Sequence, residues 1–296
     1  MKRILILANF DVGLYKFRKE LIQELLDQGN EVYISLPDGE LVRSLEKMGC
    51  KFVNTAVDRR GINPKTDAKL MFFYKKLIKK LHPDLVITYT IKPNIYGGLM
   101  CRMLRVPYAV NITGLGTAFQ SESAVKKLVT FLYKIALKKA KVVFFENIGN
   151  KQTFLDLHIL KEKQICVLNG AGVNLAEYPF CEYPSENETR FLFIGRVMKE
   201  KGVDELFEAA ERIKKQHSDV FFDVVGPMED DYKSRIEELV KKGVVVYHGY
   251  QKDVKPFIEN CHCFVLPSYH EGMANTLLEA GAMGRPLITS NIHCLL

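Results

Sequence analysis

The sequence predicts an α/β protein made of two doubly wound parallel-sheet domains facing a cleft, the second of them incomplete. Three observations predict it. Short β-prone apolar runs alternate with helix-length segments, the pattern of parallel strands joined by crossover helices. The series breaks between residues 174 and 188 and then starts afresh. The chain has 296 residues, too many for one small core and comfortable for two α/β domains.

Residues 3–8 are a continuous apolar run, as in a strand buried on both faces. A turn over 9–14 leads into a helix over 15–28, which Gly29 ends. Strands follow at 31–35 and 51–54, with a helix over 39–48 between them, closed by Gly49. A polar loop over 58–65 precedes a helix over about 67–81. Strands at 84–89, 107–112 and 142–146 complete the first series, separated by helices over 94–104 and 124–139. Gly97-Gly98 inside the first of these helices marks close packing. The first domain is thus 1–175. The stretch 174–188 has two prolines, several acids and no periodicity, and reads as a linker. The second domain, 188–296, has strands at 190–194, 220–225, 244–247, 263–266 and 286–289. Its helices are expected at 203–216, 231–242, 253–259 and 276–283. Both domains are Rossmann-like. No helix follows the last strand, and a parallel sheet needs both faces covered, so the chain is expected to be C-terminally truncated.

Hydrophobic residues make up 47% and charged residues 26% of the chain, ordinary for a soluble globular protein. A net charge of +7 favours acidic partners, such as nucleotide phosphates or an anionic membrane surface. It is too diffuse to indicate nucleic acid, and the basic residues are not interleaved with aromatics. The seven cysteines are odd in number and lie mostly in apolar runs, so they read as buried thiols in a reducing compartment. None has the paired spacing of a zinc site. The apolar run after Met1-Lys2-Arg3 is stopped by Asn9 and Asp11 without a cleavage site, so it reads as a strand and not a leader. No run approaches transmembrane length. A cytoplasmic protein is expected.

Ligands of doubly wound sheets bind beyond the carboxyl ends of the strands. In the second domain one such end reads Ser268-Tyr269-His270-Glu271-Gly272-Met273-Ala274-Asn275-Thr276-Leu277-Leu278-Glu279. It is a strand–loop–helix corner with Asn275 as the expected N-cap and Gly272 allowing close backbone approach. The free N–H groups of the helix start attract an anion such as a diphosphate. Carboxylates at Glu271 and Glu279 are bidentate acceptors for vicinal diols. A second such end reads Gly195-Arg196-Val197-Met198-Lys199-Glu200-Lys201-Gly202, where Arg196 offers a planar fork and Lys201 a mobile point charge for phosphate oxygens. It is neither a Walker A loop nor a dinucleotide fingerprint. Gly226 ends the next strand beside it. In the first domain the strand ends carry residues 9–13, 90–94 and 113–116, with Arg18 one helical turn beyond Gly13. The acids Glu229-Asp230-Asp231 stand where a helix begins and complement its dipole. His270 has no visible partner set for a metal or a triad. Helices carrying Lys75, Lys76, Lys79 and Lys80, then Lys126, Lys127, Lys134, Lys138 and Lys139, are basic and amphipathic. Such faces either dock on an anionic membrane or are simply solvated.

Together these residues resemble a retaining glycosyltransferase of family 4, with the two-domain GT-B fold. The strongest match is Glu271 to Glu279 inside the corner above, followed by Gly195-Arg196 with Lys201-Gly202. Tyr15-Lys16-Phe17-Arg18-Lys19-Glu20-Leu21, Thr90-Ile91-Lys92-Pro93-Asn94 and Asn111-Ile112-Thr113-Gly114-Leu115-Gly116 resemble the subgroup that builds capsular or lipid-linked oligosaccharides. The resemblance implies transfer of a hexose or N-acetylhexosamine from a nucleotide sugar, UDP-linked, to a growing glycan on polyprenyl diphosphate at the cytoplasmic membrane face. By the same resemblance Arg196 and Lys201 hold the diphosphate, Glu279 the ribose hydroxyls and Glu271 the sugar hydroxyls. The backbone of Gly272, Met273, Ala274, Asn275 and Thr276 meets the phosphates, with Gly195 and Gly226 lining the donor. Gly13 lets the first domain close on it. The acceptor side is given to Asn9, Tyr15, Arg18, Lys92, Asn94, Thr113 and Gly114. No metal or other cofactor is implied, and no nucleic acid. The family's frequent His after the fifth strand is missing here, so its role is not carried over. The short C-terminus implies weakened activity. Two other readings stay open: a UDP-sugar epimerase of the same fold, and a nucleotide-sugar-binding protein without catalysis.

Overall fold

The computed structural model describes residues 1–57, 63–115, 119, 124–185, 188–271 and 273–292. The chain divides into two compact units, Met1–Ala171 and Gly172–Leu296.

Unit 1 is a parallel sheet of β1 (Arg3–Leu7), β2 (Glu31–Leu36), β3 (Lys51–Asn54), β4 (Leu85–Tyr89), β5 (Tyr108–Ile112), β6 (Val142–Phe145) and β7 (Ile165–Val167). Their spatial order is β3-β2-β1-β4-β5-β6-β7. The helices are α1 (Asp11–Asp27), α2 (Val42–Met48), α3 (Pro64–Leu81), α4 (Gly98–Leu104), α5 (Ala124–Ala136) and α6 (Ile148–Asp156). Strand alternation supplies two cores. Ile4 and Ile6 of β1 and Ile87 and Tyr89 of β4 pack with Leu14, Ile22 and Leu45 of α1 and α2. Leu5, Leu7 and Val86, one step out of phase, pack with α3, α4 and α5 through Tyr74, Ile78, Cys101 and Tyr133. The order reverses between β1 and β4, a topological switch point at which ligands of such sheets bind.

Unit 2 repeats the plan with β8 (Thr189–Ile194), β9 (Val220–Val225), β10 (Val246–Gly249), β11 (Cys263–Leu266) and β12 (Leu287–Thr289), ordered β10-β9-β8-β11-β12. Its helices are α7 (Val203–Lys214), α8 (Lys233–Lys241), α9 (Lys255–Glu259) and α10 (Asn275–Ala282). Phe193, Phe207 and Phe264 are fully buried in its core, each worth roughly 2–3 kcal/mol of burial. The switch point lies between β8 and β11.

Besides shifts of a few residues in element bounds, the fold departs from the sequence reading in three larger ways. First, α6 and β7 were not anticipated. Asn147 caps α6 by accepting from Asn150 N at 2.7 Å, yet the helix is polar and seats mainly Phe154 in the core. The three residues of β7 are too few for alternation to show. Second, the expected helix over 94–104 opens as a π-helical turn, Pro93–Gly97. A β-carbon on Gly97 would stand 2.7 Å from Leu7 Cδ1, and one on Gly98 3.3 Å from Ala136 O, so the close packing expected there is present. Third, the stretch after Asn174 is no loose linker but is strapped to unit 2. Tyr178 and Cys181 pack against the core. Tyr183 donates to His262 O at 2.6 Å, and His262 pairs through Nε2 with Ser185 O at 3.1 Å. Arg285, only 3% exposed, donates to Glu182 O at 2.8 Å, to Ile258 O at 2.9 Å and to Glu259 O at 3.1 Å. Two prolines and several acids hid this, because backbone carbonyls make most of the bonds.

Among the described residues no helix is long and apolar enough to cross a membrane. The described cysteines are free thiols. Burial pushes Cys101 and Cys261 up to about 12, which leaves them protonated and unreactive.

A charge ladder crosses β1, β2 and β3. Glu31 receives Arg3 Nε at 2.6 Å, Tyr33 Oη at 3.1 Å and Lys51 Nζ. Hydrogen bonds from Lys51 and then Arg3 hold the Glu31 carboxyl at about 2, well below its ordinary 4.5. The folded state therefore binds this proton less readily than the unfolded chain does. The associated stability is present above the ordinary Glu range and is lost as pH falls toward 2. Glu31→Gln should flatten the fall in urea midpoint between about pH 4.5 and pH 2. Arg3 and Lys51 lie largely open to solvent although Glu31 is partly covered, so screening keeps the effect small.

Candidate active site

In unit 2 two glycines set the geometry of the switch point. Gly202 caps α7 at φ +67°, and a β-carbon on it would fall 2.0 Å from Pro267 O. Only glycine lets the turn before α7 lie on the chain leaving β11. Tyr269 N then donates to Glu200 O at 3.0 Å, and the two loops run together. Gly226, at φ +139°, does the same for β8 and β9, with its missing β-carbon 2.0 Å from Gly195 O. Gly202→Ala should cost unit 2 about 3 kcal/mol, from left-handed strain plus overpacking. Urea unfolding would show this, and an unchanged midpoint would refute the contact.

This apposition brings Lys201 to Glu271. Lys201 Nζ lies 2.5 Å from Glu271 Oε1, and Ser268 Oγ donates to the same oxygen at 2.7 Å. Ser268 is fully buried and the Glu271 side chain is 11% exposed. Two of the three side chains that the resemblance sets on the diphosphate and the sugar hydroxyls thus form one hydrogen-bonded pair. The third, Arg196, lies on the exit of β8 and pairs loosely with Glu229 at 3.3 Å, both half open to solvent. Glu229 pairs with Arg196, and the chain turns helical directly after it, in a 3-10 turn over Asp230–Tyr232 that leads into α8 at Lys233.

The corner before α10 corrects one expectation. The N-cap is Ala274, without a side-chain cap bond, and Asn275 is the first helical residue. Its Oδ1 is buried without a hydrogen-bond partner among the described residues. Met273 and Thr276 are half-buried and Ala274 is buried. Gly272 lies outside the described residues. Glu279, one turn into α10, is hydrogen-bonded to Tyr178. Burial first, and this carboxylate second, push the Tyr178 phenol up, so it stays a neutral donor.

In unit 1 the candidates gather at the carboxyl edge of the sheet with less mutual contact. Asn9, after β1, has a buried Oδ1 without a hydrogen-bond partner among the described residues. Gly13 sits in the first turn of α1, where a β-carbon would strike the Phe10 ring at 2.6 Å. The Lys19 ammonium lies 5.7 Å from the Tyr15 ring. Arg18 does not project freely. Its guanidinium lies 5.2 Å from the centre of the Tyr89 ring and pairs with the buried Glu146. Burial pushes the Glu146 carboxyl up against the pull of Arg18. Lys92 is engaged by Asp67 at 2.7 Å. Thr113 and Gly114 follow β5 half-buried, and Gly114 faces open space. Asn94 is a correction. At 1% exposure it is enclosed, accepting from Thr88 Oγ1 at 2.7 Å and donating to Asn111 O at 2.9 Å. It braces β4 and β5 and presents nothing to an acceptor.

Sequence reasoning did not single out Tyr178 or Glu146, and it quoted Ser268 and Thr90 within motifs without giving either a role. Glu146 had a readable signal, an acid directly after an apolar strand at the carboxyl edge. Thr90 had none. It ends β4 at φ +71°, a left-handed conformation rare for a β-branched residue. Among the described residues no group of three His, Cys, Asp or Glu is placed to hold a metal.

Residues 177–296 match the family described as glycosyl transferases group 1, and residues 3–147 match the glycosyl transferase 4-like family. A relative from Campylobacter jejuni, N,N'-diacetylbacillosaminyl-diphospho-undecaprenol alpha-1,3-N-acetylgalactosaminyltransferase, is 30% identical over 98% of this chain and 80% of its own length. One from Escherichia coli, UDP-Gal:alpha-D-GlcNAc-diphosphoundecaprenol alpha-1,3-galactosyltransferase, is 29% identical over 79% of this chain and 64% of its own. The solved glycosyltransferase of Rickettsia africae superposes with a TM-score of 0.80 at 20% identity, over 99% of this chain and 80% of that one. The fold is therefore that of the two-domain GT-B enzymes, and the chain belongs to glycosyltransferase family 4.

Proposed function

We propose that this glycosyltransferase moves a hexose or N-acetylhexosamine from a UDP-sugar, with retention, to a growing glycan on polyprenyl diphosphate during surface polysaccharide synthesis. The observation that carries the reading is the Lys201–Glu271–Ser268 cluster at the unit 2 switch point. A cation and a sugar-binding carboxylate stand in one small polar site beside two helix starts. Donor binding would exchange the Lys201–Glu271 pair for two new contacts. Lys201 turns to the diphosphate with Arg196, while Glu271, still held by Ser268, accepts sugar hydroxyls. Glu279 takes the ribose diol, with Tyr178 orienting its carboxylate. The backbone of 273–276 meets the phosphates. Charge developing on the leaving diphosphate is thereby stabilised, which can dominate such a barrier. Retention follows from attack on the face the leaving group departs, with its phosphate oxygen taking the acceptor proton, so no side chain is given the role of general base. The acceptor class is supported by the diphosphoundecaprenol substrates in the names of both relatives, and UDP by one of them.

A lipid-linked acceptor places the work at the inner face of the cell membrane. Exposed Phe72 on α3 and exposed Leu128 and Phe131 on α5, among their lysines, support a peripheral contact there.

The test is thermal unfolding with a panel of nucleotide sugars, followed by UDP release with and without a polyprenyl-diphosphate saccharide. A UDP-sugar at a hundred times its Kd should stabilise by about 2.7 kcal/mol. Glu279→Ala and Arg196→Ala should each lose most of that shift. UDP release should require the acceptor, which separates transfer from plain binding. No shift with any UDP-sugar, or a shift both variants retain, would overturn the reading.

A further inference from the structure

At the opposite end of the unit 1 sheet from its candidate residues, an open cavity of ≈740 Å³ lies beside the amino ends of β6 and β7. Its rim carries six lysines, Lys134, Lys138, Lys139, Lys141, Lys161 and Lys163. Its apolar lining comes from Ala140, Ile159 and Leu160, all buried. Among the described residues no acid lines it. The acids of the surrounding segment are engaged elsewhere: Glu146 with Arg18, Asp156 with Gln152 and Glu162 with Lys151. Three carbonyls at and just after the end of α5, which would otherwise repel an anion, already accept hydrogen bonds. Arg102 donates to Ile135 O at 2.8 Å, Tyr108 to Ala136 O at 2.5 Å and Gln164 to Ala140 O at 3.0 Å. Like charges crowded on one rim repel each other and gain nothing from folding. A concave site of one sign concentrates counter-charge instead.

We infer that this cavity is a binding site for a phosphoryl-bearing amphiphile, with the phosphate oxygens on the lysine rim and the apolar part on Ile159 and Leu160. The ligand class is either an anionic phospholipid headgroup or a soluble organic phosphate. The exposed Leu128 and Phe131 lie on the same helix as Lys134, so a headgroup in the cavity and apolar contacts along α5 fit one approach to a bilayer. The site is separate from the donor site, and its test does not depend on catalysis.

The experiment measures amine-labelling rates of the cavity lysines by mass spectrometry, with inorganic pyrophosphate or with phosphatidylglycerol vesicles, against plain phosphatidylcholine. Vesicle partitioning is measured in parallel for Lys138→Gln/Lys163→Gln and for Lys215→Gln/Lys233→Gln, which removes the same charge from unit 2. Anionic vesicles should slow labelling of the cavity lysines. The cavity variant should partition roughly thirtyfold more weakly, at about 1 kcal/mol per lysine. The control should change much less, and transfer to a soluble acceptor should be unaltered in both. Slowing by vesicles identifies a headgroup, and slowing by pyrophosphate alone identifies a soluble phosphate. No slowing by either probe overturns the site, as does equal loss of partitioning in the two variants.

Discussion

Lys201→Met should lower kcat by about 10²- to 10³-fold, the usual loss when one preorganised group facing developing negative charge is removed. The Lys201–Glu271 pair separates this effect from folding. Each single change leaves one partner's hydrogen-bonding capacity unmet in a mostly buried place, so each should cost about 1–2 kcal/mol of stability. Lys201→Met combined with Glu271→Gln removes both charges and should regain much of that stability. Turnover should not return. A purely structural pair would regain both together. If Lys201→Met keeps turnover within tenfold of the parent, the lysine does not act on the leaving group.

Arg285→Leu should destabilise unit 2 by about 3–5 kcal/mol, lowering its melting temperature by roughly 10 °C. This guanidinium is held by carbonyl oxygens from the strap and from the end of α9, and Arg285 Nη2 also reaches Cys181 Sγ at 2.9 Å. Leucine fills part of the space but leaves those carbonyls without their donor, Ile258 O in a buried place. Arg285→Lys should fail nearly as badly, because one ammonium cannot reach acceptors spread around a planar fork. Urea unfolding followed by tyrosine fluorescence reads the change. A loss below about 1 kcal/mol would mean that water replaces the arginine.

All strands but β7 were legible because parallel strands buried on two faces are mostly continuous apolar runs, as in β1, β4 and β11. The carboxyl ends of those strands then located the candidate residues, and the family resemblance named their roles. What escaped reading depends on contacts distant in sequence. No local pattern shows that Asn94 is closed in by Thr88 and Asn111, or that Lys201 meets Glu271 across seventy residues. Nor does periodicity reveal a strap held through carbonyls. Asn275 had the chemistry of an N-cap, yet Ala274 takes that place because the chain enters α10 one residue earlier.

The left-handed Thr90 has a consequence for engineering. A β-branched side chain held at φ +71° costs about 1–2 kcal/mol that glycine would not. Random stabilisation libraries should therefore recover Thr90→Gly or Thr90→Asn among their thermotolerant survivors. Because the Thr90 hydroxyl donates to Tyr89 O, a bond that either replacement gives up, the gain in such survivors should fall short of the full strain relieved at the end of β4.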